Sequence, residues 1–240
     1  MAKLERLDKV IANMGYGSRK DVKKFVKDGL VEVNGKLVKD RDMKVDPYQD
    51  EIIFRGEVVN YREFIYLMMN KPQGLVSSTD DPLTRTVIDL LSEEYLIYQP
   101  FPVGRLDKDT EGLLLISNDG KLAHELLSPK KGVDKTYFAE VYGTVEEEHI
   151  EIFSKGLSLD DGYLTLPAKL EILESGAISK IHLTIQEGKY HQVKRMFEAI
   201  DMKVLFLKRI SMGPLELDSS LQAGQYRELN DEEINLLKFR

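Results

Sequence analysis

Gly104-Arg105-Leu106-Asp107-Lys108-Asp109-Thr110-Glu111-Gly112, followed by Leu113-Leu114-Leu115-Ile116, is the stretch of this 240-residue chain that decides its fold. Four consecutive apolar residues are too few to span a membrane and suit a buried core strand. The polar residues before them set an arginine and a carboxylate two positions apart, in a segment that runs into that strand. A side chain pinned against a rigid element is a positioned one, as catalysis requires. An isolated Arg-x-Asp is equally what an ordinary surface ion pair looks like. Asp107-x-Asp109-x-Glu111-Gly112 imitates the start of a calcium loop, but Asn118 stands where the bidentate Glu is required, so that reading fails.

Outward from this stretch, the chain divides by charge. Residues 1–44 hold 12 Lys and Arg against 7 Asp and Glu, whereas the whole chain carries −7. A basic arm joined to an acidic body suggests contact with a polyanion, because affinity for nucleic acid follows local phosphate contacts rather than total charge. There is no cysteine, which excludes disulfides, thiolate zinc sites and a cysteine nucleophile. The four histidines, at 124, 149, 182 and 191, show no metal-ligand spacing. Met-Ala-Lys-Leu-Glu-Arg lacks an apolar signal core and no window approaches 18 apolar residues, so the expected location is cytoplasmic, with no membrane partner.

Leu7, Val10, Ile11 and Met14 recur at helical spacing, and Ser18 with Asp21 opens a second helix in capping-box fashion. Val22, Phe25 and Val26 give that helix an apolar face, while Arg19, Lys20, Lys23, Lys24 and Lys27 crowd its other side. Asn34-Gly35 between two short β patterns is a strong hairpin signal. Ile52-Ile53-Phe54 reads as a strand and Glu57 to Glu63 as a linker. Further on, strands are expected over 64–69, 137–142, 181–185 and 204–210. Helices are expected over 84–91, 121–127, 146–154 and 190–200, with a last one capped by Asn230. Without a strict βαβ rhythm, an α+β domain on a largely antiparallel sheet fits best.

Gly104 to Gly112, with the Leu-Leu that follows, resembles the catalytic motif of the RNA pseudouridine synthases, in the branch that modifies ribosomal RNA. Other segments resemble that family in the same order. Asn70-Lys71-Pro72-Gln73-Gly74 is similar to the turn opening its catalytic domain, and Lys135-Thr136-Tyr137 to its tyrosine motif. Gly188-Lys189-Tyr190-His191-Gln192-Val193-Lys194-Arg195-Met196-Phe197 is similar to its basic motif. Leu207 to Leu217, with Arg209, Ile210 and Gly213, resembles the segment closing its active site. The helix–helix–hairpin unit, with Ser18-Arg19-Lys20 and Val31-x-Val33-Asn34-Gly35, resembles the S4 RNA-binding module. The resemblance implies an S4-like RNA-binding domain over residues 1–58 and a catalytic domain over 64–240.

It also implies the chemistry. Such an enzyme breaks the N1 glycosidic bond of a uridine, turns the base and rejoins it through C5. No atoms are gained and no redox occurs, so no metal, nucleotide or other cofactor is expected. By resemblance Asp107 is the reacting carboxylate, acting either as nucleophile at C1′ or as base at C2′. Lys194 would ion-pair with it, although many relatives carry Arg there and Lys lacks the bidentate fork. Arg195 competes for that role, but neighbouring helix residues diverge by about 100°, so both cannot face one carboxylate. Tyr137 would stack on the flipped uracil. Arg105 would enter the RNA helix or hold the flipped nucleotide, or else pair with Asp109 or Glu111. RNA contacts are expected from the α-helical cations already named and from Lys71, Lys189, His191, Gln192 and Arg195.

The Tyr190 to Arg195 wording, and the passage from Asn70 to Ser77-Ser78-Thr79-Asp80-Asp81, resemble members acting on small-subunit 16S rRNA at uridine 516. Large-subunit relatives tend to carry Asn-Arg where Tyr190 and His191 stand. The partner implied is 16S rRNA or an assembling small ribosomal subunit, met by a monomer. Two other classes stay open: a noncatalytic RNA-binding assembly factor, and a hydrolase using Asp109 or Glu111 as a second carboxylate.

Overall fold

The computed structural model describes residues 4–238. Residues 1–3, which begin the segment read above for a signal core, and 239–240 lie outside the described part, as do the outermost ends of both expected domains. The chain gathers into two compact units, Met1–Ile65 with Ser92–Gln99, and Tyr66–Leu91 with Pro100–Arg240. No helix among the described residues is long and apolar enough to cross a membrane.

The first unit begins with β1 (Glu5–Arg6), α1 (Leu7–Asn13) and α2 (Arg19–Lys27). A full capping box starts α2: Asp21 N donates to Ser18 Oγ, and Ser18 N donates to the Asp21 carboxylate. Next come β2 (Val31–Val33), β3 (Lys36–Leu37), β4 (Lys44–Val45), β5 (Ile52–Phe54) and β6 (Glu57–Val58), with α3 (Glu93–Leu96) contributed from further along the chain. Asn34 and Gly35 both adopt positive φ, 51° and 72°, as the tight turn between β2 and β3 demands. Four strands pair in the order β3-β2-β5-β6, and β1 pairs with β4. The segment expected to be a linker therefore starts as an edge strand, its residues pairing with Ile53 and Phe54. One apolar cluster, including Leu7, Ile11, Val22, Val31, Ile52 and Phe54, holds helices and sheet together.

The second unit is built on a sheet of nine strands: β7 (Tyr66–Lys71), β8 (Phe101–Val103), β9 (Glu111–Ser117), β10 (Lys135–Tyr142), β11 (Lys169–Glu174), β12 (Ile178–Ile185), β13 (Lys203–Met212), β14 (Leu215–Glu216) and β15 (Tyr226–Glu228). The main path runs β11-β12-β10-β13-β9-β7-β15, with β14 beside β13 and β8 beside β9. Every pairing is antiparallel except β13 with β9, which is parallel and joins only Lys208 to Glu111 and Arg209 to Gly112. This is the mixed, largely antiparallel α+β sheet expected from the sequence. β7 is buried along its whole length, and Leu113 to Ile116 of β9 are completely buried. Each such leucine or isoleucine contributes about 1.5–3 kcal/mol by leaving water.

Helices α4 (Gly120–Leu127), α5 (Glu147–Lys155), α6 (Gln192–Glu198) and α7 (Asp231–Lys238) belong to this unit. Phe153 of α5 and Phe197 of α6 pack at 5.0 Å between ring centroids. The helix expected over 84–91 is instead a set of turns with one 3-10 turn at Ile88–Leu90. There the Asp89 carboxylate takes Thr86 N–H and the Thr86 hydroxyl takes Ile88 N–H, so side chains capture the donors a helix would need.

Candidate active site

The loop carrying Asp107 is clasped by main-chain and side-chain bonds from the segment after β7. Ser77 Oγ donates to Leu106 O at 2.9 Å and accepts from Leu106 N at 3.1 Å. Gly74 N donates to Lys108 O at 2.7 Å. Lys71, expected at the RNA surface, is fully buried instead. Its ammonium donates at 3.0 Å to the carbonyls of Pro72, Asp107 and Thr110. Burial pushes its pKa down to about 8 from 10.5, against the partial pull of the Asp107, Asp109 and Glu111 carboxylates. The lysine is thus a tie between β7 and the loop, not a free cation.

At the far end of the loop Gly112 has φ of 103°, and a Cβ there would lie 2.2 Å from Arg209 O. The motif closes on glycine because β13 passes too near for any side chain. The loop is therefore fixed at both ends, with Asp107 between them.

Asp107, with 29% of its side chain exposed, faces Lys194 of α6, whose ammonium lies 3.5 Å from Oδ2. That ammonium is nearer to Asp109, at 2.6 Å from Oδ1, and holds the Asp109 carboxyl below the usual carboxylate range. Lys194 thus bridges both acids of the Asp-Lys-Asp sequence. Asp109, expected as a partner of Arg105 or as a second carboxylate, is instead a member of the Lys194 cluster. His191 approaches from the same side, with Nε2 3.7 Å from Asp107 Oδ1. It adopts a left-handed conformation, φ 48°, and stacks on Tyr190 at 3.8 Å between centroids. That conformation is why α6 starts at Gln192 rather than at Tyr190.

Arg195 turns the other way, pairing with Asp160 and, at 2.7 Å, with Asp161. Only Lys194 reaches Asp107, as the divergence of neighbouring helix residues requires. Gln192, another expected RNA contact, is buried and committed. Its amide donates to Glu187 Oε1 at 2.8 Å, and its carbonyl accepts from Lys189 N at 2.9 Å. Glu187 also accepts from Tyr163 OH and Leu166 N, which makes it the hub bracing the loop before α6. Nothing in the local sequence marks it. Lys189 is exposed, its ammonium 4.4 Å from the Tyr163 ring centroid. Arg105 is exposed and pairs with neither Asp109 nor Glu111 among the described residues.

Tyr137 is 7% exposed on β10, directly across from Arg209 on β13. Asp107, Tyr137, Arg105, Lys189, His191 and Arg209 all line one cavity of about 1020 Å³. No cluster that would hold a metal ion occurs among the described residues. In the first unit, Arg19, Lys20, Lys23, Lys24 and Lys27 of α2 are all exposed, while Val22 and Val26 are buried. Arg55, also exposed, lies over the rings of Phe25 and Phe54 at 5.2 and 5.0 Å and adds a further cation to this module.

A cavity walled by a carboxylate, a tyrosine and paired cations, on a mixed sheet joined to a small basic module, has counterparts among known proteins. Residues 65–199 match the RNA pseudouridylate synthase family, and residues 5–51 match the S4 domain. The chain belongs to the RNA pseudouridine synthase family and carries an S4 domain. It is 54% identical to the uncharacterized RNA pseudouridine synthase YtzG of Bacillus subtilis, over 97% of this chain and 98% of that one. It is 40% identical to ribosomal large subunit pseudouridine synthase B of Bacillus subtilis, over 98% of this chain and 96% of the relative. It is also 40% identical to ribosomal small subunit pseudouridine synthase A of Haemophilus influenzae, over 97% and 99%. A solved pseudouridylate synthase structure superposes with a TM-score of 0.68 at 40% identity, covering 97% of this chain and 99% of the other.

Proposed function

We propose that this protein isomerises a uridine to pseudouridine in ribosomal RNA, with uridine 516 of small-subunit 16S rRNA as its target. The observation that carries the chemical reading is the Asp107–Lys194 pair at 3.5 Å, with Asp107 in the wall of a cavity that Tyr137 also lines. The carboxylate acts at the sugar, and the ammonium beside it fixes where that carboxylate points. The target uridine must leave its stack to reach that carboxylate, which costs a few kcal/mol. The cavity is large enough to take an extruded nucleotide.

In this reading Asp107 acts at C1′ or C2′ while the N1 glycosidic bond breaks. Tyr137 stacks on the freed uracil, close to C5, where a proton must leave after the base has turned. Lys194 orients Asp107. Arg105 and Lys189, both exposed at the cavity, contact the RNA around the extruded nucleotide, and His191 borders its mouth. The α2 cations hold phosphates without reading sequence. The protein works in this scheme as a cytoplasmic monomer, without a cofactor, on 16S rRNA or an assembling small subunit. Identity to large- and small-subunit relatives is the same, 40%, so the small-subunit assignment rests on the Tyr190-His191 wording.

The test is tritium release from C5-labelled uridine in small-subunit RNA, naked and partly assembled, with large-subunit RNA beside it. Stoichiometric release of one tritium from small-subunit RNA alone is expected. Release from large-subunit RNA alone would keep the enzyme and remove the target. Binding without release from any RNA would leave the assembly-factor reading in its place.

A further inference from the structure

Arg209 is 2% exposed, and its guanidinium is only partly used. Nε donates to Leu113 O at 2.8 Å. Nη2 is buried without a hydrogen-bond partner, and no carboxylate pairs with the group among the described residues. A buried cation with no counter-ion is costly, and an unmade bond from a charged donor adds to that cost. A structure that tolerates both has a use for them, or a ligand that completes them.

The local fold aims this group at the reaction. A register shift between Thr136 and Tyr137 lets Thr136 face Ser211 while Tyr137 faces Arg209. Bulges of this kind redirect side chains. Residues directly opposite across two strands share a face, so Arg209 and Tyr137 stand side by side, and both line the cavity that Asp107 enters. Lys194 is held between Asp107 and Asp109.

We propose that Arg209 is a catalytic residue that donates its unused guanidinium hydrogens to a uracil carbonyl and stabilises the negative charge of the detached base. This rests on the uridine isomerisation proposed above. When the N1–C1′ bond breaks, both its electrons leave with the base, whether Asp107 bonds C1′ or takes a proton from C2′. The pair spreads from N1 onto O2 and O4. The anion then attacks C1′ through C5, displacing the Asp107 carboxylate from C1′ or, in the other branch, with Asp107 returning its proton to C2′, and the proton on C5 departs. Rotation about the N3–C6 axis brings C5 to the place of N1 and exchanges O2 with O4. One fixed guanidinium therefore serves one carbonyl before the turn and the other after it. A preorganised, buried donor at a site of developing charge is an effective catalytic element.

Single-turnover conversion of small-subunit RNA, read by nucleoside chromatography, tests this with wild type, Arg209→Met and Arg209→Lys. Losses of about 100-fold and about 10-fold are expected, with RNA affinity and thermal midpoint near wild type. RNA carrying 2-thiouridine or 4-thiouridine at the target, whose sulfur accepts hydrogen bonds poorly, should slow wild type but add little to Arg209→Met. Rates within about twofold of wild type in both variants would overturn the proposal, as would thio effects that simply multiply those of the substitution. If Arg209→Met does not fold, Arg209→Lys, which keeps a cation and a donor for Leu113 O, decides alone. Failure of wild type to convert uridine at all would instead remove the isomerase reading beneath it.

Discussion

The ammonium of Lys71 lies 3.0 Å from the main-chain carbonyl of Asp107, and it ties the end of a fully buried strand to the loop that presents the carboxylate. With Pro72 and Thr110 as its other acceptors, this one side chain anchors the loop at two of its own residues. Replacing it removes one bond from each carbonyl and leaves Asp107 O with only the Thr110 N–H, at about 1–3 kcal/mol for a buried acceptor left unmet. Lys71→Met is expected to lower kcat by about 10- to 100-fold, since displacing a reacting group by about 1 Å has that effect. Tritium-release rates beside RNA affinity check this; an unchanged kcat would show that the tie does not position Asp107.

The same lysine makes a pH signature. Its folded pKa is about 8, below the 10.5 of the exposed side chain, so between those values the unfolded chain binds more protons than the folded one. Stability from this group therefore rises with pH through that window, and it is constant below it. Urea unfolding of wild type and Lys71→Met, at intervals from pH 7 to 10, should show the wild type gaining relative to the variant above pH 8. Parallel curves would mean that the ammonium titrates normally.

Adjacent cations on α6 should separate cleanly. Lys194→Met removes the partner of Asp107 and should cost about 100-fold or more in kcat, by analogy with other preorganised charges. Arg195→Met breaks the pairing with Asp160 and Asp161, both more than half exposed, and a long 3.5 Å bond to Tyr190 O, and should change kcat by less than about threefold. Equal losses from the two substitutions would contradict the geometry.

Gly112→Ala is the substitution with the clearest structural penalty. The added methyl meets the Arg209 backbone at 2.2 Å, at a φ that L-residues rarely adopt. A loss of about 3–5 kcal/mol is expected from the clash and the strain together. Thermal unfolding measures it; a midpoint within a few degrees of wild type would mean that β13 can retreat.

On α2, Lys20→Ala with Lys24→Ala should weaken RNA binding and reduce its salt dependence, the slope falling by about one for each phosphate no longer neutralised. Titrations over a range of salt concentrations give that slope directly. An unchanged slope would place the phosphates elsewhere.

The motif residues were legible because each carries a distinctive chemical type at a fixed spacing. Lys71 was not. Asn-Lys-Pro-x-Gly reads as a surface turn, and β7, buried on both faces, lacks the alternation that would have extended it through the lysine. Gln192 and Arg209 were hidden for related reasons. A left-handed His191 and a register shift beside Tyr137 decide where those side chains point, and neither leaves a periodic trace. The helix expected over 84–91 failed because Thr86 and Asp89 offer local acceptors that compete with it. The clasp by Ser77 and the hub at Glu187 are single polar residues whose importance comes only from what folds onto them.

The seam between β9 and β13 has a consequence for how the molecule comes into being. Its two paired positions join residues 97 apart in sequence, and the Arg209–Leu113 bond residues 96 apart. Such distant pairings close slowly, because the intervening chain must first be gathered in. A chain still emerging from the ribosome can already expose both Asp107 and Lys194, yet it has no wall of Arg209 beside Tyr137 until about residue 212 is free. The wall that Arg209 forms beside Tyr137 is thus a part of the site that only a late-made segment of the chain can supply.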